Sequence, residues 1–160
     1  MSSHRYIRGI SVVEIVVAAG IILTAVTGIA GAWQLYFKIS NKSAQYSQVS
    51  TIIEEGEEAL NLMRDMSWSG NISPLSLNTT YYIYWNGSAY VATTTLQTIQ
   101  NTYVRTISFQ SIQRDVNFNI ASSGSVDVNT RKAVITIFPS GNASTTLAQS
   151  EMLIHNVFNN

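Results

Sequence analysis

Three rhythms of apolar residues follow one another along this chain. The first is nearly unbroken. ISVVEIVVAAGIILTAVTGIAGAWQLYFK runs from Ile10 to Lys38, and from Ile15 to Phe37 it holds 23 residues without a charge. As a helix, that run spans roughly 34 Å at about 1.5 Å per residue, against a bilayer hydrocarbon core of about 30 Å. The second rhythm is helical. Tyr46, Val49, Ile53, Leu60 and Met63 recur on one stripe, Gly56 fills one turn of it, and Glu54, Glu55, Glu57 and Glu58 take the opposite, solvated side. This helix is expected to stop near Met66, ahead of Ser67-Trp68-Ser69-Gly70-Asn71 and Pro74.

The third rhythm has a period of two. Tyr81-Tyr82-Ile83-Tyr84-Trp85, Asn86-Gly87 and Ala89-Tyr90-Val91 read as a hairpin whose turn needs positive φ at both Asn86 and Gly87, with the aromatic cluster in the sheet core. Tyr103 to Phe109 reads as a strand with Ile107 and Phe109 on one face and Arg105 exposed between neighbours. In the strand Ala133 to Phe138, Ile135 and Ile137 alternate with Val134, Thr136 and Phe138, and Pro139-Ser140-Gly141-Asn142 turns the chain. A last strand is expected over Leu147 to Phe158, with Met152, Ile154 and Phe158 on one face and His155 turned to solvent. The predicted fold class is α+β: one long N-terminal helix, with a membrane half and an amphipathic half, followed by an antiparallel β-sheet that covers the second half.

Composition narrows the chemistry. The 160 residues suit one domain plus an appendage. Lys+Arg and Asp+Glu are 9 each, so no net charge draws the chain toward nucleic acid or anionic lipid. Charged residues make up only 11% of it, and Ser, Thr and Asn carry the polarity. With no cysteine, disulfides and thiolate metal sites are excluded. His4 and His155 are the only imidazoles. No phosphate-binding loop, H-E-x-x-H, G-x-S-x-G or His–carboxylate cluster is present, and the Ser-Gly pairs at 69–70, 123–124 and 140–141 read as turns. The expectation is a protein that is not an enzyme and carries no cofactor.

Two minor candidates remain. Asp127-Val128-Asn129-Thr130 offers oxygen ligands, but its few acceptor side chains fall short of the six to eight oxygens that calcium takes. Arg131 and Lys132 beside Arg114 make a small basic group without an aromatic platform, a weak signal for nucleic acid, and solvated strand ends are the expectation there.

Glu14 does not fit a plain membrane anchor. An acid deep in lipid costs about 2–3 kcal/mol or more, which marks function, whereas the same acid at the edge of a span is merely wetted. The surrounding pattern is more informative. Arg5 and Arg8 precede Gly9, an apolar residue follows Gly9, Glu14 lies five residues beyond it, and the long apolar run comes next. Basic residues ahead of the span predict a cytoplasmic N-terminus and an exported remainder.

This arrangement, over residues 5–38, resembles the cleavage and methylation motif of type IV prepilins and type II secretion pseudopilins. The resemblance implies a pilin-like fold. It implies a leader over residues 1–9, a transmembrane and assembly helix over 10–38 and a globular domain over 39–160. It also implies cleavage after Gly9 by a prepilin peptidase and N-methylation of Ile10. Ile10 departs mildly from the phenylalanine most common there, and the helix lacks the proline many pilins carry; Gly28 and Gly31 offer a soft point or a close helix contact instead.

Cleavage would create an α-ammonium on Ile10 with an ordinary pKa near 8. In a staggered filament the Glu14 carboxylate of one subunit would meet the Ile10 ammonium of the next, because an unpaired buried charge is penalised by several kcal/mol. The implied partners are the prepilin peptidase, other pilin or pseudopilin subunits, the inner membrane and an assembly platform. The implied location is the inner membrane, then a filament at the cell surface. Two other readings stay open: a pilus-associated adhesin or DNA-uptake subunit that uses the sheet, and a secreted β-domain released after the A-x-A sequence Ala30-Gly31-Ala32.

Overall fold

The computed structural model describes residues 11–159. Helix α1 runs from Val12 to Met66 and is followed by a single π-helical turn, Trp68–Ile72. Strands β1 (Tyr82–Trp85), β2 (Tyr90–Thr93), β3 (Tyr103–Arg114), β4 (Ile120–Ala121), β5 (Ser125–Pro139) and β6 (Ala148–His155) complete the fold. It is α+β: a long N-terminal helix packed on an antiparallel β-sheet through its C-terminal part. By contact the chain divides after Gln45 into two units, 1–45 and 46–160.

In the first unit, Ser11 stands where the helix begins: the Glu14 and Ile15 amides both donate to the Ser11 carbonyl, at 2.9 and 3.2 Å. The apolar run is exposed side chain by side chain, from Val12 through Phe37. Two of its few polar residues, Thr24 and Thr27, turn their hydroxyls back onto helix carbonyls of Gly20, Ile21, Leu23 and Thr24. Their polarity is thereby consumed inside the helix, as a lipid-facing surface requires. This helix is long and apolar enough to cross a membrane.

In the second unit, Val49, Ile52, Gly56, Ala59, Leu60 and Met63 are the buried residues of the helix. They pack on a four-stranded sheet of order β4-β3-β5-β6, in which every pair is antiparallel. Opposite residues share a face, so Ile107↔Ile135 and Phe109↔Ala133 line the core side, and β6 adds Met152 across from Ala133 and Ile154 across from Arg131. Leu60, Ile107, Phe109, Ile135, Ile137 and Ile154 are fully buried. Each contributes on the order of 1.5–3 kcal/mol through burial. The β1–β2 hairpin joins the free side of β3 through a bridge between Tyr81 and Ile107.

Several expectations are corrected. Tyr46 is 64% exposed, so the buried stripe starts at Val49. The hairpin loop is four residues long, because Trp85 pairs with Tyr90; only Gly87 takes positive φ, and the Asn86 Oδ1 accepts the Ser88 and Ala89 amides. Tyr81 is buried, but Trp85 is exposed and stacks edge-on against Tyr90, so the aromatic cluster is only partly core. β6 ends at His155, which leaves Phe158 exposed beyond it and not on the Met152–Ile154 face. The largest correction is Arg105, which is buried at 3% exposure.

Candidate functional site

The residues singled out by sequence fall into an N-terminal group on the apolar helix and three groups on the sheet. Gly9 and Ile10 lie outside the described residues. Glu14 occupies the first turn of α1 and is exposed, with Ile15, Ala18, Ala19 and Ile22 beside it along a shallow apolar groove. An acid in the first turn is favoured by the helix dipole and by the free amides there. Among the described residues no cation pairs with it. The structure therefore presents a carboxylate at the head of an apolar helical face, with small alanines one turn further on.

Arg105 is built into the joint between helix and sheet. Its guanidinium donates to the carbonyls of Ile52 at 2.9 Å and Ile83 at 3.4 Å and approaches Glu55 at 3.5 Å. Gly56 provides the room: a Cβ there would stand 2.9 Å from Arg105 Cδ. Two further bonds pin the same helix, Tyr103 Oη to Gln48 Oε1 at 3.0 Å and Ser150 Oγ to Glu57 at 2.6 Å. The glutamate side of the helix is thus solvated at Glu54 and Glu58 and engaged at Glu55 and Glu57. Strand alternation is the signal that points to Arg105, since it lies two residues from Ile107 on the core face.

At the other end of the sheet, β5 carries three extra residues where the register with β3 moves from Ser111↔Arg131 to Ile112↔Asp127. In this bulge the Asp127 carboxylate accepts from Arg114 Nε at 2.6 Å, from the Thr130 hydroxyl at 2.7 Å and from the Asn129 amide at 2.9 Å. These donors hold its pKa down to about 2, the Thr130 hydroxyl first and then Arg114. Thr130 is 2% exposed and also lies 2.8 Å from His155 Nδ1. Its one proton goes to Asp127, so His155 Nδ1 must donate to the Thr130 oxygen. Each oxygen of Asp127 already has a donor, and the hydroxyl is neither accessible nor deprotonable by this histidine. The group works as a polar staple across β3, β5 and β6. His155 is exposed as expected, but it is a member of this staple.

The three cations considered for nucleic acid are all engaged. Arg114 is bound to Asp127, and Lys132 meets Glu151 at 2.8 Å. Arg131 donates to the carbonyls of Ile72, Ser73 and Leu75 at 2.6–2.8 Å and lies over the Phe109 ring. It closes the π-helical turn and is not a solvated strand end; the burial this requires lowers its pKa from the ordinary value. Among the described residues no group of three or more His, Asp or Glu is placed to hold a metal ion.

Comparison with protein-family models, with curated proteins and with solved structures finds no match for this chain.

Proposed function

We propose that this chain is a structural subunit, without enzymatic activity, of a membrane-rooted filament of the type IV pilus or type II secretion kind. It acts by being processed and packed. The observation that carries this reading is Glu14: an acid in the first turn of α1, five residues beyond Gly9, at the head of an apolar stretch with no other charge up to Phe37. The helix anchors the subunit in the inner membrane with the sheet domain exported, and a prepilin peptidase cuts after Gly9 and methylates Ile10. The new ammonium then supplies the partner that Glu14 needs once lipid or packed helices surround it. The sheet domain supports the same reading by what its polar residues do, since Arg105, Arg114, Arg131 and Asp127 hold strands and helix together.

Mass spectrometry and N-terminal sequencing of the protein made in cells with an active prepilin peptidase test this. The expected product starts at Ile10 and carries one added methyl group. Gly9→Leu should retain the leader. A start at Trp33, or an intact leader in the wild type, would overturn the reading. Glu14→Gln tests the role within it: the variant should be inserted and cleaved, yet its fraction recovered in sheared filaments should fall well below wild type. Equal fractions would mean that Glu14 is only a wetted boundary residue.

A further inference from the structure

The uncharged run of α1 ends in an aromatic cluster. Trp33, Tyr36 and Phe37 lie on neighbouring turns of α1 with ring centroids 5.4–6.4 Å apart, and all three are more than half exposed. Lys38 follows immediately, and Lys42 comes about one helical turn later. Inside the run the remaining exposed side chains are aliphatic or small, apart from the two self-bonded threonines and Gln34. Trp33 and Tyr36, with an apolar body and a polar N–H or O–H, are the kind of ring that prefers the headgroup layer of a bilayer; Phe37 packs against both as their apolar support, and lysines just beyond reach lipid phosphates.

The spacing is as informative as the composition. Trp33 is 19 residues beyond Glu14. That is about 28 Å along a helix, and Phe37 is about 34 Å away, which brackets a hydrocarbon core of about 30 Å. Both ends of the run therefore carry a group suited to an interface, one bilayer thickness apart.

We infer that Trp33, Tyr36 and Phe37, with Lys38 and Lys42, form a collar that docks in the outer headgroup layer of a phospholipid bilayer and sets the depth of the helix, so that Glu14 rests in the inner headgroup layer. This rests on the membrane-spanning part of the proposed function. It also joins the two roles considered for Glu14. Before assembly the carboxylate is hydrated at the inner surface and costs little. Only withdrawal of the helix toward the outside carries it into an apolar setting, where it needs a cation. The collar therefore makes the resting position in lipid a defined state, from which extraction begins.

The test uses the full chain reconstituted in vesicles of phosphatidylethanolamine and phosphatidylglycerol, with lipids brominated either near the headgroup or near the bilayer centre. The Trp33 signal is the difference between wild type and Trp33→Phe. Headgroup-proximal bromine should quench it several-fold more than central bromine. Because the chain has no cysteine, a fluorophore on Glu14→Cys reports the other end, and it should show the same preference. Replacing Trp33, Tyr36 and Phe37 together by Leu should leave flotation with vesicles intact but lower the shallow-to-deep quenching ratio at position 14 by about twofold or more, as the helix loses its depth stop. Stronger quenching of Trp33 by central bromine, or no quenching of vesicle-bound protein, would overturn the collar while the membrane span stands. An unchanged ratio at position 14 in the triple variant would also overturn it. Failure of the wild type to float with vesicles would overturn the span itself, and the collar with it.

Discussion

The two parts of helix α1 solve different problems with the same backbone. From Ile15 to Phe37 its surface is uncharged and largely apolar on every side, and each side chain is exposed. From Tyr46 onward one stripe is buried against the sheet and the other side carries acids. The glycines show the contrast residue by residue. At Gly20, Gly28 and Gly31 an added Cβ would meet nothing within 4 Å, whereas at Gly56 it would run into Arg105. A glycine in a helix costs up to about 1 kcal/mol relative to alanine. At Gly56 the reason for accepting that cost lies inside the molecule. At the other three no packing within the described residues accounts for it.

The sharpest way to break this comparison is to separate the parts. A fragment beginning at Asn41 should be soluble without detergent and give the circular dichroism of a folded helix-plus-sheet protein, while the full chain should need detergent. An unfolded fragment would mean that the helix and the sheet of the second unit do not form an autonomous core. Within that fragment, Arg105→Ala should cost about 2–4 kcal/mol in urea unfolding, because it opens a cavity beside Gly56 and removes the donor shared by the Ile52 and Ile83 carbonyls. A cost below about 0.5 kcal/mol would place Arg105 among the surface cations.

Arg105 also marks where sequence reasoning stops. Period-two alternation from Ile107 and Phe109 places residue 105 on the core face, and the charge argues for the opposite. The period wins because the partners lie far along the chain: Ile52 and Glu55 about fifty residues earlier, and a gap left by Gly56. The stop of the helix at Met66, the Ile135–Ile137 face of β5 and the place of the hairpin were legible, because each is encoded by neighbours in sequence. The bulge at Asp127 was not, because it takes Arg114 and His155 from two other strands to hold it. Of the candidate assembly site, the sequence supplied the residues, and the structure adds the place of Glu14 in the first turn and the grouping of the three rings.

A milder test uses pH. Asp127 keeps its charge in the folded state down to about 2, below its ordinary value of 3.8. A carboxylate with a lowered folded pKa stabilises the fold above its unfolded pKa, and that stability drains away as pH falls from about 4 toward 2. The amount at neutral pH is up to about 2 kcal/mol, at 1.36 kcal/mol per pH unit. The wild-type fragment should lose that increment across this window in urea titrations, and Asp127→Asn should be weaker at neutral pH with a flatter profile. Parallel profiles for the two proteins would remove Asp127 from the staple.

The smallest effect is the most direct test of the comparison, because one substitution should carry opposite signs in the two parts of one helix. Alanine gains up to about 1 kcal/mol over glycine from propensity alone. At Gly56 that gain is set against a 2.9 Å approach to Arg105 Cδ, the middle of a side chain held at 3% exposure by its own bonds. Overpacking of a fixed neighbour costs about 1–3 kcal/mol, so Gly56→Ala should destabilise the fragment by a net amount of about 1 kcal/mol. At Gly28 no neighbour opposes the gain, and Gly28→Ala in the full chain in detergent should leave helicity equal or slightly higher. Coupling then identifies the cause. In an Arg105→Ala background the space beside residue 56 is free, and Gly56→Ala should turn neutral or stabilising. The non-additivity should be about 1–2 kcal/mol, as expected for residues in contact. If the cost of Gly56→Ala persists there unchanged, the glycine is needed for the backbone itself, and the difference between the two parts is not one of packing.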